Sequence, residues 1–105
     1  MQPDPRVLDR LIQTVVTSVR PLRIILFGSA ARGEMRTESD LDVAVVVPEG
    51  FDPHMVSEQL YPRMVGMGVA VEIVVTTPEQ LARHQSSIGM LHRDIGREGR
   101  ELYAA

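Results

Sequence analysis

The residues able to do chemistry concentrate in residues 27–47, FGSAARGEMRTESDLDVAVVV. Gly28 and Ser29 end one apolar run, ten residues follow, and Asp40-Leu41-Asp42 open a second. Side chains alternate faces along a strand, so Asp40 and Asp42 share one face, about 7 Å apart, with Leu41, Val43, Val45 and Val47 on the other. Alone, a carboxylate pair at the head of an apolar strand also fits a plain solvated strand end. Glu72 changes the balance. It sits inside VAVEIVV with nothing polar beside it, and burying such a carboxylate is costly unless it is paired. It either meets an arginine or joins Asp40 and Asp42 from a neighbouring strand. Three converging carboxylates, with no cysteine in the chain, suit hard cations such as Mg²⁺ or Mn²⁺, which complete their shells with water and phosphate oxygens.

Gly28-Ser29 sits where a strand gives way to a helical turn. Backbone N–H groups are free at such a junction and bind anions. Gly28 allows close backbone approach to a phosphate. Ser29 adds a hydroxyl, which serves equally as an N-cap. Arg32 lies one turn on, placed to reach a phosphate, to brace Asp40, or simply to face solvent. An anion cradle opposite a carboxylate clamp is what nucleotidyl transfer requires: metal ions hold the entering and leaving oxygens while the cradle holds the departing pyrophosphate.

The flanking elements must position these groups. Residues 5–20 repeat apolar side chains with helical period, with Asp4 as N-cap, Pro5 at the first position and Pro21 as the stop. Residues 23–27, RIILF, suit a central strand covered on both faces. Residues 40–47 form a second strand. Residues 53–66 form an amphipathic segment with Met55, Val56, Leu60, Met64 and Val65 inward, kinked or split by Pro62. Residues 69–75 are a third strand, and Thr77-Pro78 opens a short helix to about residue 84. Residues 87–103 read as a last helix, loosened by Gly96 and Gly99. The pattern predicts one α/β (α+β) unit: a small mixed sheet of three to four strands packed by helices.

The 105 residues suggest a single domain spanning 1–105, leaving part of any substrate site to another protein. Eleven basic residues, all arginine, against fourteen acidic ones give a net charge of −3. That balance argues against direct nucleic-acid binding, which draws its non-specific affinity from neutralising phosphates. No run approaches the length of a membrane span and the N-terminus has no signal-peptide pattern, so a cytoplasmic protein is expected. His54, His84 and His92 are scattered and read as surface residues. Met55, Met64, Met67 and Met90 read as core fillers. Tyr61 and Tyr103 carry no signal beyond residue type. Arg93, Arg97 and Arg100, interleaved with Asp94, Glu98 and Glu101, read as a solvated helix face.

LFGSAARGEMRTESDLDVAVVV resembles the signature of the DNA polymerase beta-type nucleotidyltransferase superfamily: Gly-Ser, ten residues, Asp-x-Asp. GSxxRGExxxxSDLDxxV is similar to the minimal nucleotidyltransferase family in particular. VEIVVTTPEQL resembles its third-carboxylate strand and HRDIGREGRELY its last helix. The resemblance covers nearly the whole chain. It implies that Asp40, Asp42 and Glu72 are catalytic and bind Mg²⁺, two ions in the full form, with Mn²⁺ as a substitute. It also implies that Gly28 and Ser29 hold a nucleoside triphosphate, most simply ATP, with Arg32 one turn on as a further nucleotide-binding candidate. Glu72 departs from the commoner Asp and reaches one methylene further. The resemblance further implies an antitoxin that transfers AMP to a tyrosine of a HEPN-type ribonuclease toxin, in a homo- or hetero-oligomer. A catalytically idle module that silences its partner by contact, and a transferase acting on a small molecule, are the alternatives.

Overall fold

The computed structural model describes residues 2–36, 40–84 and 99–105. Helix α1, Pro5–Val19, opens as expected: the Asp4 carboxylate accepts from the Arg6 N–H and Pro5 occupies the first turn. It buries Leu8, Leu11 and Val15. Arg20 ends it in a left-handed conformation (φ 49°), its N–H bonded to the Val16 carbonyl, and Pro21 prevents continuation. Strand β1, Arg23–Phe27, leads into the single turn α2, Gly28–Ala31, and strand β2 is Leu41–Val46. Helix α3, Pro53–Leu60, passes straight into a 3₁₀ turn at Tyr61–Met64. Pro62 lies in that turn, so the expected break falls where proline removes a helix donor. Strand β3 is Val71–Thr76 and helix α4 is Pro78–His84. The α4 start is fastened twice: Gln80 N–H donates to Thr77 Oγ1 and Glu79 N–H donates to the Glu49 carboxylate.

The sheet order is β3-β2-β1-β4, with β1 antiparallel to both β2 and β4, and β2 parallel to β3. A four-stranded mixed sheet therefore replaces the open choice between three and four strands. The fourth strand is a correction. Residues 87–103 read as a helix, yet Arg100–Ala104 form β4, bonded to β1 across a bulge between Ile24 and Ile25. The exposed edge of β1 offers non-local backbone partners, and these override a weak helical pattern containing Gly99. Residues 87–98 of that expected helix, with His92 and most of the Arg/Asp/Glu series, lie outside the described residues, as does Met90.

Both faces of the sheet are covered. Ile24, Leu26, Leu41, Val43 and Val45 pack with Leu8, Leu11 and Val15 of α1 and Val56 and Leu60 of α3. Ile25, Phe27, Ala44 and Val46 pack with Leu81 of α4 on the other face. Full burial of one such leucine or isoleucine stabilises by about 1.5–3 kcal/mol. The inward face expected for 53–66 is right at Val56, Leu60 and Met64 and wrong at Met55 and Val65, which are 66% and 83% exposed. Met55 lies one position off the Val56–Leu60 stripe within α3, and Val65 follows the 3₁₀ turn that Pro62 interposes. Met64 and Met67 fill the core as expected, whereas Met55 does not.

Candidate active site

Register brings the chemistry together. Asp42 is the cross-strand partner of Phe27 on β1 and of Glu72 on β3. Directly paired residues on adjacent strands share a face, so the Asp42 and Glu72 carboxylates emerge side by side on neighbouring strands. Asp40, two residues before Asp42, precedes β2 and is exposed, as is Glu72, while Asp42 is half-buried. The three acidic residues and the Gly28 turn occupy one end of the sheet, above the layer formed by Ile25, Phe27, Ala44 and Val46. A one-residue slip of β3 would send Glu72 to the opposite face.

The Asp42 carboxyl is pushed above its ordinary value, first by burial, then by the charges of Asp40 and Glu72, against a smaller opposing pull from Arg32. The charges of Asp40 and Glu72 therefore both act on Asp42. Gly28 explains the burial. Its φ is +71°, and a Cβ there would lie 2.4 Å from Asp42 Oδ2. The glycine thus serves two needs: a left-handed backbone that other residues adopt at a cost, and room for the Asp42 carboxylate against the chain.

The expected cap at Ser29 is corrected: Phe27 is the N-cap of α2 and supplies no side-chain bond, with Ser29 inside the turn. The Ser29 carbonyl accepts from the Glu34 N–H at 2.9 Å, closing the loop back on the turn. First-turn amides have no acceptors within their own helix, so the phosphate reading of this junction rests on backbone donors. Arg32 Nε pairs with Glu34 Oε2 at 3.1 Å, and its charge is also felt at Asp42. Arg32 thus lies beside the carboxylate group. His54 pairs with Glu58 on the surface of α3, in line with its surface reading, and nothing is described of the His84 side chain.

Sequence reasoning missed Tyr61. Its hydroxyl accepts from the Ile73 N–H at 3.1 Å and lies 3.3 Å from the Ile73 carbonyl and 3.4 Å from Glu72 Oε1. Nothing local to YPRM announces this, because it depends on the 3₁₀ turn packing beside β3.

Among the described residues, no three acidic or histidine groups already stand close enough to form a metal shell. The donor set nevertheless fits a hard divalent cation: oxygen donors only, from three acidic residues gathered at one end of the sheet. Asp40, Asp42 and Glu72 are the residues that would hold it. Among the described residues, no helix is long and apolar enough to cross a membrane.

A family model for the nucleotidyltransferase domain matches residues 8–90. A Methanocaldococcus jannaschii protein named "Putative protein adenylyltransferase MJ0604" is 35% identical over 81 residues, covering 77% of each chain. The chain belongs to the nucleotidyltransferase domain family, and it is a nucleotidyltransferase. Among solved structures, a toxin-antitoxin with AMP-PNP superposes with a TM-score of 0.69 at 21% identity, covering 93% of this chain and 73% of the other. A mutant of the toxin-antitoxin MntA-HpeT gives 0.68 at 18% identity with the same coverages. These likenesses establish a shared fold: a mixed sheet packed by helices, as expected.

Proposed function

We propose that the chain is a single-domain, divalent-metal-dependent transferase that moves AMP from ATP to a hydroxyl on a partner protein. The observation carrying this reading is the pairing of Asp42 with Glu72 across β2 and β3, directly beside the Gly28 turn. In the reaction, an acceptor oxygen attacks the α-phosphorus. A new P–O bond forms as the bond from the α-phosphorus to the bridging oxygen breaks, and pyrophosphate leaves with the electron pair. The hydroxyl proton passes to the Glu72 carboxylate. Backbone donors of the Gly28-Ser29 turn and Arg32 hold the polyphosphate in line. Asp40 and Asp42, with Glu72, would hold Mg²⁺ or Mn²⁺. When bound, the metal offsets the charge that builds on the phosphoryl oxygens.

A protein acceptor is favoured by the site's openness: Asp40 and Glu72 are exposed at the sheet end, so the acceptor can bring its own surface. The relative named as a protein adenylyltransferase supports the same acceptor class. The structural neighbours are toxin-antitoxin proteins. Together with the resemblance of the Gly-Ser and Asp-x-Asp signature, they support a toxin as the partner; the acceptor we propose is a tyrosine of a HEPN-type toxin encoded beside this chain, in a cytoplasmic toxin–antitoxin pair. The test is incubation of the chain with its genetic neighbour, Mg²⁺ and ATP labelled at the α-phosphate. Label on the neighbour is expected. Inhibition of the neighbour without label would instead identify a module that acts by contact.

A further inference from the structure

Tyr61 stands at an unusual place. It ends α3, where its own N–H donates to the Ser57 carbonyl, and it begins the 3₁₀ turn. Its hydroxyl reaches β3, an edge strand of the sheet. In a parallel strand, alternate residues point their backbone groups away from the neighbouring strand. Ile73 directs its N–H and carbonyl outward, and the Tyr61 hydroxyl meets both. The closer contact is Ile73 N–H to the phenol oxygen at 3.1 Å. That bond fixes the oxygen as an acceptor and leaves its single proton to choose between the Ile73 carbonyl at 3.3 Å and Glu72 Oε1 at 3.4 Å. An ionised carboxylate is the stronger acceptor.

We propose that Tyr61 is a positioning residue for Glu72: its hydroxyl, anchored on the Ile73 backbone, donates to one Glu72 oxygen and aims the other at the site. This rests on the reading of Glu72 as part of the metal-holding and proton-accepting group. Glutamate has one more rotatable bond than aspartate, and that freedom must be given up for its carboxylate to point one way. The Asp42 carboxylate lies against the Gly28 turn, where an added Cβ would meet it. Glu72 is exposed and gains its orientation from a phenol fixed to the same strand.

The test is calorimetric titration of Mn²⁺ into the chain saturated with AMP-PNP, comparing wild type, Tyr61→Phe, Glu72→Gln and the double variant. Partners of metal-binding carboxylates typically govern affinity by about tenfold or more. Tyr61→Phe is expected to weaken Mn²⁺ binding by about that factor and to do nothing further in the Glu72→Gln background. Tyr61→Leu, without ring or hydroxyl, is expected to match Tyr61→Phe. Hydrogen exchange at the Ile73 amide reads the anchoring bond separately and is expected to speed up in both variants. Unchanged Mn²⁺ affinity in Tyr61→Phe, or an equal loss with and without Glu72, overturns the positioning role while leaving Glu72 in place. Unchanged affinity in Glu72→Gln alone removes Glu72 from the site, and the role of Tyr61 falls with it.

Discussion

Gly28→Ala separates two demands that coincide at one residue. The left-handed backbone at Gly28, φ +71°, costs an alanine about 1–2 kcal/mol. The new methyl would also lie 2.4 Å from Asp42 Oδ2 and 3.2 Å from its Cγ. Relieving that overlap means swinging the carboxylate or shifting the turn, which costs about 1–3 kcal/mol more. Gly66 is the control. Its φ is +88° with no atom within 4 Å of an added Cβ, so Gly66→Ala reports the backbone cost alone. In a domain of this size, 1 kcal/mol corresponds to roughly 4–8 °C in Tm. Thermal unfolding by circular dichroism is therefore expected to drop by about 5 °C for Gly66→Ala and about 15 °C for Gly28→Ala. In an Asp42→Ala background the Gly28→Ala cost should shrink to the Gly66→Ala value, because the clashing oxygen is gone. Equal costs for the two glycines, or a Gly28→Ala cost indifferent to Asp42, would refute the claim that Gly28 exists to admit the carboxylate.

Other expectations concern charge, core and caps. Folding raises the Asp42 pKa, so the folded state holds that proton more tightly than the unfolded one, and this group's contribution to stability falls as pH rises from the unfolded value through the folded one. Asp42→Asn should therefore raise Tm at pH 7, with the gain fading below the unfolded carboxyl value near 3.8; melting curves at both pH values check the sign. Leu26 is fully buried in β1, and Leu26→Ala should cost about 3 kcal/mol in urea unfolding. Thr77→Ala removes the side-chain acceptor for the Gln80 N–H and should cost about 1 kcal/mol in the same assay.

Much of this architecture is legible in the chain because its signals are local. Asp4-Pro5 and Pro21 bracket α1, Thr77-Pro78 opens α4, and Pro62 breaks α3 from its 3₁₀ turn. Period-two alternation puts Leu41, Val43 and Val45 on one face of β2 and Ala44 and Val46 on the other, with Asp42 in step with the latter. What is not local is less legible. The pairing of Asp42 with Glu72 depends on the register of a parallel crossover from residue 46 to residue 71, which no short window encodes. Strand β4 owes its state to the open edge of β1, so its helical reading fails. Tyr61 looks ordinary because its partner Ile73 lies twelve positions away. Ser29 suggests a cap from residue type, while the left-handed Gly28 moves the turn's start back to Phe27.

We propose that Asp40, Asp42 and Glu72 form one metal-and-nucleotide site with the Gly28 turn. Calorimetric titration of ATP in the presence of Mg²⁺ into the wild-type chain and into Asp40→Asn/Asp42→Asn tests it most directly. Saturable binding to the wild type, lost in the double variant even though that variant melts cooperatively, is the predicted result. Absence of binding to the wild type, or equal binding to both proteins, would contradict it.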